Sequence, residues 1–399
     1  MRRVAIFTSA ALGAGLAIAP VASAASAQWG HDCPAAESLV PGATWHTHKL
    51  APGVSLSEGT KADSRGVVKM HVLRISVTQP GVSIQPLRHA IAQRTPLSRL
   101  AAGHAHLVAA VNTGYFDFAT GAPTQPLIVR GEPLVISTRH ERVIGFTSTG
   151  TAQAGSVHLA ATLFAGKQAH DIAGINEGDA KDGIEAYNSA WGARTVPAGW
   201  QATAREVVGA KLGANAGRDV RVPKNGFVVM SHGQTATQWL SSLAPGSATG
   251  LAGKVRTTTK RPFEQAYGVG VELVQQHGKA RTGFACDSAN TSQPARTAYG
   301  IADHGKTFVI GEVEDHPGTK LHGLDNDQMS AFMAQLGVDK AFNVDGSGST
   351  EMLAKLPSSD TLSQRTYPAD GKERPMPLGL GISYVKPKVV HRPRPRTSG

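Results

Sequence analysis

Short apolar runs interrupted by glycine are the feature that most limits what this chain can become. Val82, Ile84 and Leu87 alternate after the Pro80-Gly81 turn, and Gly226-Phe-Val-Val-Met230 stops at Ser231-His232-Gly233. Runs of about four to eight residues suit strands, whereas helices need longer stretches of 3.6-residue period. Glycine supplies the backbone freedom for the turns between them. With 45 glycines and only 6% aromatic residues in 399, the reading is many short strands rather than long helices. Val68, Met70 and Val72, then Leu73, Ile75 and Val77, read as strand, and Leu107 to Val111 reads as a fully apolar one. Helical pattern is sparse: residues 95–106, a turn or two over 237–243, and one segment capped by Asp325 or Asn326. In that segment Met329, Phe332, Met333 and Leu336 fall at i, i+3, i+4 and i+7 before Gly337. It lies between strand patterns at 307–310 and 341–344, which predicts a β-α-β unit near the C-terminus. The fold class expected is α+β, with β-rich mixed sheets and a few helices.

The two ends differ from the body. Arg2 and Arg3 precede an uncharged apolar stretch, Val4 to Pro20, and small-residue cleavage sites follow at 22–24 and 25–27. That is the pattern of a secretory signal peptide over residues 1–27, with a membrane anchor as the alternative. Residues 28–64 form a turn-rich N-terminal extension, 65–385 the main domain, and 386–399 a basic, proline-rich tail. Of the net charge of +11, Arg2 and Arg3 supply two and the tail five, so the body carries only +4. The tail suits attachment to an anionic surface such as a cell wall, or no partner at all. The body has no basic stripe interleaved with aromatics, so nucleic acid is not an expected partner. Cys33 and Cys286 are the only cysteines, and an exported chain with two suggests one disulfide. The expected location is extracellular.

Two strand ends deliver polar residues into glycine turns: Val111 into Asn112-Thr113-Gly114, and Val344 into Asp345-Gly346-Ser347-Gly348-Ser349. Rigid strand ends commonly present functional side chains. Glycines in the second turn could let backbone N–H groups bind an anionic oxygen beside Asp345, a carboxylate suited to acid–base work. The bland readings are a hairpin for D-G-S-G-S and a tight turn for N-T-G. Arg296-Thr297 opens another strand and suits bidentate phosphate contact, with a surface salt bridge as the alternative. Glu312, Glu314 and Asp315 follow the strand at 307–310, and alternation puts Glu312 and Glu314 on one face. His46/His48 and His104/His106 have i, i+2 spacing, yet no third metal ligand is spaced to join either pair. No nucleophile elbow, zinc-protease helix, phosphate-binding P-loop or dinucleotide fingerprint occurs.

Five segments in order add a further constraint: A-R-T-A-Y-G-I at 295–301, D-N-D-Q-M-S-A-F-M-A-Q-L-G at 325–337, A-F-N-V-D-G-S-G-S-T at 341–350, Y-P-A-D-G-K-E-R-P at 367–375, and upstream N-T-G-Y-F-D at 112–117. Together with Y-G-V-G-V-E-L-V at 267–274, these resemble consecutive motifs of the phosphodiester glycosidase family. The resemblance implies hydrolysis between a sugar's anomeric carbon and a phosphodiester, in a sugar–phosphate diester or anionic glycopolymer. It implies Asp345 and Asn112 as catalytic candidates, and Asp315, from the acidic group after the strand at 307–310, is a third. It implies Arg296, Thr297, Gly114, Gly346, Ser347, Gly348, Ser349 and Arg374 as substrate-binding candidates. No cofactor is required by it, and a divalent cation bridging Asp345 and phosphate is left open. Thr113 and Ser347 stand where the family has glycine, and Glu272 where proline is common. If position 347 needs positive φ, serine there costs about 1 kcal/mol. Two rival readings remain: a non-catalytic surface module that binds anionic glycans, and a phosphodiesterase cutting the P–O bond.

Overall fold

The strand Val67–Ser76 shows why its apolar pattern changes phase midway. Val68, Met70 and Val72 pack with Met329, Phe332 and Met333, whereas Leu73 and Ile75 pack with Leu56, Phe308 and Ile310. Both faces of its sheet are therefore buried, and each face contributes its own apolar residues. The computed structural model describes residues 39–178, 182–194, 196, 202–217, 220–284 and 293–388.

Three sheets organise these residues. The eight-stranded sheet runs Thr44–Ala51, Val54–Ala62, Val67–Ser76, Thr307–Val313, Arg296–Ala302, Lys340–Asn343, Glu272–Gln275 and Lys279–Ala280. Residues 44–62, part of the turn-rich stretch set apart in the sequence, pair straight into this sheet through Val67–Ser76. The five-stranded sheet centres on Leu107–Asn112, between Met352–Ala354 and Gly379–Tyr384. A twelve-stranded sheet is built from strands between Leu127 and Gly268 and carries its own apolar cluster around Leu163, Ile184 and Leu240. The central core joins all three: Leu73, Val111, Leu127, Tyr267, Tyr299 and Leu380 share one cluster.

The structure is strand-rich with few helices, as the glycine-cut runs predict. The helix Asn326–Gln335 is capped by Asp325, whose side chain accepts from Gln328 N–H while Gln328 Oε1 accepts from Asp325 N–H. Gly337 follows with φ of 74°. The helix crosses from Thr307–Val313 to Lys340–Asn343, and Arg296–Ala302 lies between those strands, antiparallel to both. Gln234–Ser242 is a longer helix than the one or two turns expected, and Leu97–Ala102 a shorter one. No helix among the described residues is long and apolar enough to cross a membrane. Cys33, Cys286, the leader and the tail from 389 onward lie outside the described residues.

Candidate functional site

Antiparallel pairing brings several polar strand ends to one place. Thr297 opposes Glu312, Ala298 opposes Asn343, and Val344 N–H donates to Thr297 C=O at 3.0 Å. Asn112, the last residue of its strand, reaches across from the five-stranded sheet and is only 1% exposed. Its Oδ1 accepts from the Thr297 hydroxyl at 2.8 Å and from Glu351 N–H at 3.3 Å. Its Nδ2 donates to Asp345 C=O at 2.7 Å and to Thr113 C=O at 3.4 Å. The Asn112 carbonyl accepts from Tyr299 Oη. An amide has two donor and two acceptor positions, and here all four are taken. Asn112 therefore joins two sheets and fixes the Asp345 loop, a positioning role rather than the reacting one expected.

Asp345 is half-buried, its Oδ1 accepting from Gly346 N–H at 2.9 Å. Burial holds its carboxyl above the usual aspartate range, opposed by the Ser349 hydroxyl, the Gly346 N–H and the Arg374 charge. Arg374 Nη1 donates to Ser349 Oγ at 3.3 Å, and its Nε and Nη2 hold Asp370 Oδ2 at 2.9 and 2.8 Å. Asp345, Ser349, Arg374 and Asp370 thus form one polar chain. A Cβ at Gly348 would fall 2.1 Å from both Arg374 Nη2 and Asp370 Oδ2, so a larger residue there would displace that pair. Gly114 is more tightly constrained, because a Cβ there would meet the Gly268 backbone carbonyl at 2.9 Å.

The loop's backbone differs from the expected anion cradle. Gly346 N–H is turned onto Asp345, Ser347 N–H donates to Ala295 C=O at 2.7 Å, and Ser349 N–H donates to Gly346 C=O at 3.0 Å. Three of the four N–H groups are consumed in folding the turn, so anion binding falls to the side chains. Ser347 does take a left-handed conformation, with φ of 53°. Ser347→Gly is expected to relieve that strain and stabilise the fold by about 0.5–1 kcal/mol, read as an increased denaturation midpoint in urea.

Arg296 lies underneath. It is 6% exposed, with Nε donating to Leu324 C=O, and burial lowers its pKa. Tyr115 bridges the levels: its hydroxyl accepts from Asn343 Nδ2 at 2.7 Å and feels the charges of both Asp345 and Arg296. Hydrogen bonds therefore join Thr297 to Asn112, Asn112 to the Asp345 backbone, and Asp345 through Ser349 to Arg374, while Arg296 is linked to Asp345 through Tyr115. Tyr115 and Asn343 were missed in the sequence. Their only signal was adjacency, Tyr115 directly after Asn112-Thr113-Gly114 and Asn343 two before Asp345.

Asp315 makes no hydrogen bond to this chain of groups among the described residues. It is half-buried beside His316 and His322, whose charges oppose the upward pull of burial. Glu312 and Glu314 do share a face, both meeting His71. Glu314 accepts from His71 Nε2 at 2.7 Å and pairs with Lys69 at 2.8 Å. His71 Nδ1 faces Glu58 at 3.4 Å, and Arg365 grips Glu58 at 2.8 and 2.9 Å. Glu312 is fully buried beside Thr297 and Thr366, and desolvation pushes its pKa up to about 8. Glu351, unremarked in the sequence, is pushed up to about 9 by burial and then by Glu373. The Asp345 carboxyl is engaged by Gly346 N–H and the Ser349 hydroxyl and lies beside the Arg374 charge. Among the described residues no three His, Cys, Asp or Glu converge as ligands.

Comparison with known proteins agrees with the motif reading. The family model for phosphodiester glycosidase matches residues 203–383, a stretch that contains Arg296, Asp345 and Arg374 but not Asn112. A hypothetical protein from Synechocystis has the same fold, with a TM-score of 0.71, 20% identity, and 86% of this chain aligned to 64% of that one. This chain thus spans less than two thirds of the Synechocystis protein. A protein from Burkholderia pseudomallei K96243 aligns with a TM-score of 0.64 and 20% identity, covering 80% of this chain and 74% of its own. The catalytic domain of zebrafish N-acetylglucosamine-1-phosphodiester alpha-N-acetylglucosaminidase aligns at 15% identity with a TM-score of 0.43, over 88% of this chain and 87% of that one. No curated protein matches the chain.

Proposed function

We propose, taking the phosphodiester glycosidase match over residues 203–383 as premise, that this chain hydrolyses the glycosidic bond of sugar-1-phosphodiesters. The observation that carries the proposal is the Asp345–Ser349–Arg374 chain, a partly desolvated carboxylate held beside a guanidinium. Arg374 would pair with the phosphate and stabilise the charge it gains on departure. Asp345, ionised, would receive a proton from the attacking water and stabilise positive charge on the sugar ring. The water oxygen bonds to the anomeric carbon as the carbon–oxygen bond to phosphate breaks, and the electron pair leaves on phosphate. A phosphate monoester is a weak base, so the leaving group needs no strong general acid. Tyr115 and Arg296 would form the floor beneath the phosphate. The leader pattern at 1–27 and the basic tail support action outside the cell, on wall or extracellular glycopolymers.

The test is a product analysis on a panel of sugar-1-phosphodiesters. Release of free reducing sugar and an intact phosphate monoester is the expected result. Sugar-1-phosphate among the products would instead place the cut at the P–O bond. No product from any substrate, with glycan binding retained, would leave a binding module.

A further inference from the structure

Phe118 is 62% exposed, an unusual place for a phenylalanine six residues beyond Asn112. Two guanidinium groups lie over its ring: Arg374 at 5.6 Å from the centroid and Arg94 at 6.0 Å. Phe116 packs beneath at 4.9 Å and is buried. The ring therefore holds two cations within about 6 Å of its centroid. A third, Arg194, donates from Nη2 to Ala119 C=O at 2.9 Å and lies against Gly121.

The backbone fixes this arrangement. Asp117 Oδ1 accepts from Thr120 N–H at 2.6 Å, closing the loop that carries Phe118. Thr95 and Met376 exchange backbone hydrogen bonds at 2.9 and 3.0 Å, tying the Arg94 segment to the Arg374 segment. Ser98 donates to Glu373 at 2.6 Å and reinforces the same junction. Arg374 has Asp370 as its carboxylate, but no carboxylate lies within 4 Å of Arg94 among the described residues. Arg94 and Arg194 are both exposed. Holding like charges together unpaired is unfavourable unless an anion is to be received there.

We infer that Arg94 and Arg194 form a second anion subsite, which takes the next phosphate of a repeating phosphodiester chain whose scissile phosphate lies at Arg374. This rests on the hydrolytic reading above and names its substrate class: a polymer or oligomer with phosphates on successive units, rather than a single diester. Phe118 is a positioning residue that sets the distance between the two phosphate contacts. A second charge-assisted contact, made equally in ground and transition states, acts chiefly on KM.

Two probes test the inference: a sugar-1-phosphodiester with a methyl aglycone, and the same sugar-1-phosphate extended by two glycerol phosphate units. The extended probe is expected to have a kcat/KM at least tenfold higher in the native chain. Arg94→Gln/Arg194→Gln is expected to bring the ratio close to one, through KM of the extended probe. An unchanged ratio in that variant overturns the subsite. Should neither probe be hydrolysed, the hydrolytic reading fails, and calorimetric titration with the extended probe decides the subsite separately. At least fivefold weaker binding in the double variant supports it, and equal binding ends it. Both arginines are exposed, so the variants should fold as the native chain does.

Discussion

Asp345→Asn is expected to reduce kcat on a sugar-1-phosphodiester by about 10³-fold, equivalent to about 4 kcal/mol of barrier, with little change in KM. The asparagine is nearly isosteric, and its carbonyl oxygen can still accept from Gly346 N–H as Asp345 Oδ1 does at 2.9 Å. The Asn112 hydrogen bond goes to the backbone carbonyl of residue 345 and is untouched. Because burial disfavours the charged form of Asp345, losing the charge should not destabilise the fold. Rate loss with an unchanged melting temperature would therefore report chemistry rather than damage. The native pH profile gives a second check. Asp345 must be ionised to act, and its pKa lies above the ordinary value of 3.8. Activity should therefore fall as pH drops through a limb displaced upward from the aspartate range. A variant retaining more than a tenth of native kcat would remove Asp345 from the reaction.

The binding-module reading predicts a different pattern for the same variant. Removing a negative charge beside Arg374 would tighten an anionic glycan, and turnover would be absent from both proteins. Product analysis and this variant together separate the three readings without any further structure.

The strand-to-glycine turns were legible because they depend on local chemistry. Asp345 and Asn112 each end an apolar run, and a strand that stops at a polar residue before glycine says so in one dimension. Asn112's role was not legible, because it is set by partners from Thr297, Asp345 and Glu351, which only tertiary pairing brings together. The anion cradle expected at 346–349 failed for a related reason. Glycine content permits a nest of N–H groups, but Ala295 C=O and the Asp345 side chain compete for those groups and win. Asp315 was grouped with its neighbours by proximity in sequence. Two residues past the strand, alternation no longer governs direction, and it lies beside His316 and His322. Helix Asn326–Gln335 was the most legible element, since cap, apolar face and terminal glycine all agree.

Thermal stability is expected to fall steadily from pH 5 to pH 9, and Glu312→Gln is expected to remove roughly half of that slope. The ordinary glutamate value is 4.5, while burial raises Glu312 to about 8 and Glu351 to about 9. Between those limits the folded state keeps protons that the unfolded chain has released, so stability falls as pH rises. His71 acts in the same direction: Glu314 and Glu58 raise its pKa, and its share is lost above the ordinary histidine range of 6.5. Glu58 works at the other end. With His71 and Arg365 holding it down at about 2, its contribution is present above pH 4.5 and is lost as pH falls toward 2. The maximum should then lie near pH 4.5–5. Glutamine at 312 keeps the shape of a neutral acid but has no proton to lose. Calorimetric melting of native, Glu312→Gln and Glu351→Gln proteins across pH 5–9 checks the argument. A native midpoint that holds level or rises over that range would mean these acids are already ionised in the fold, with water reaching them where the packing leaves no room for it.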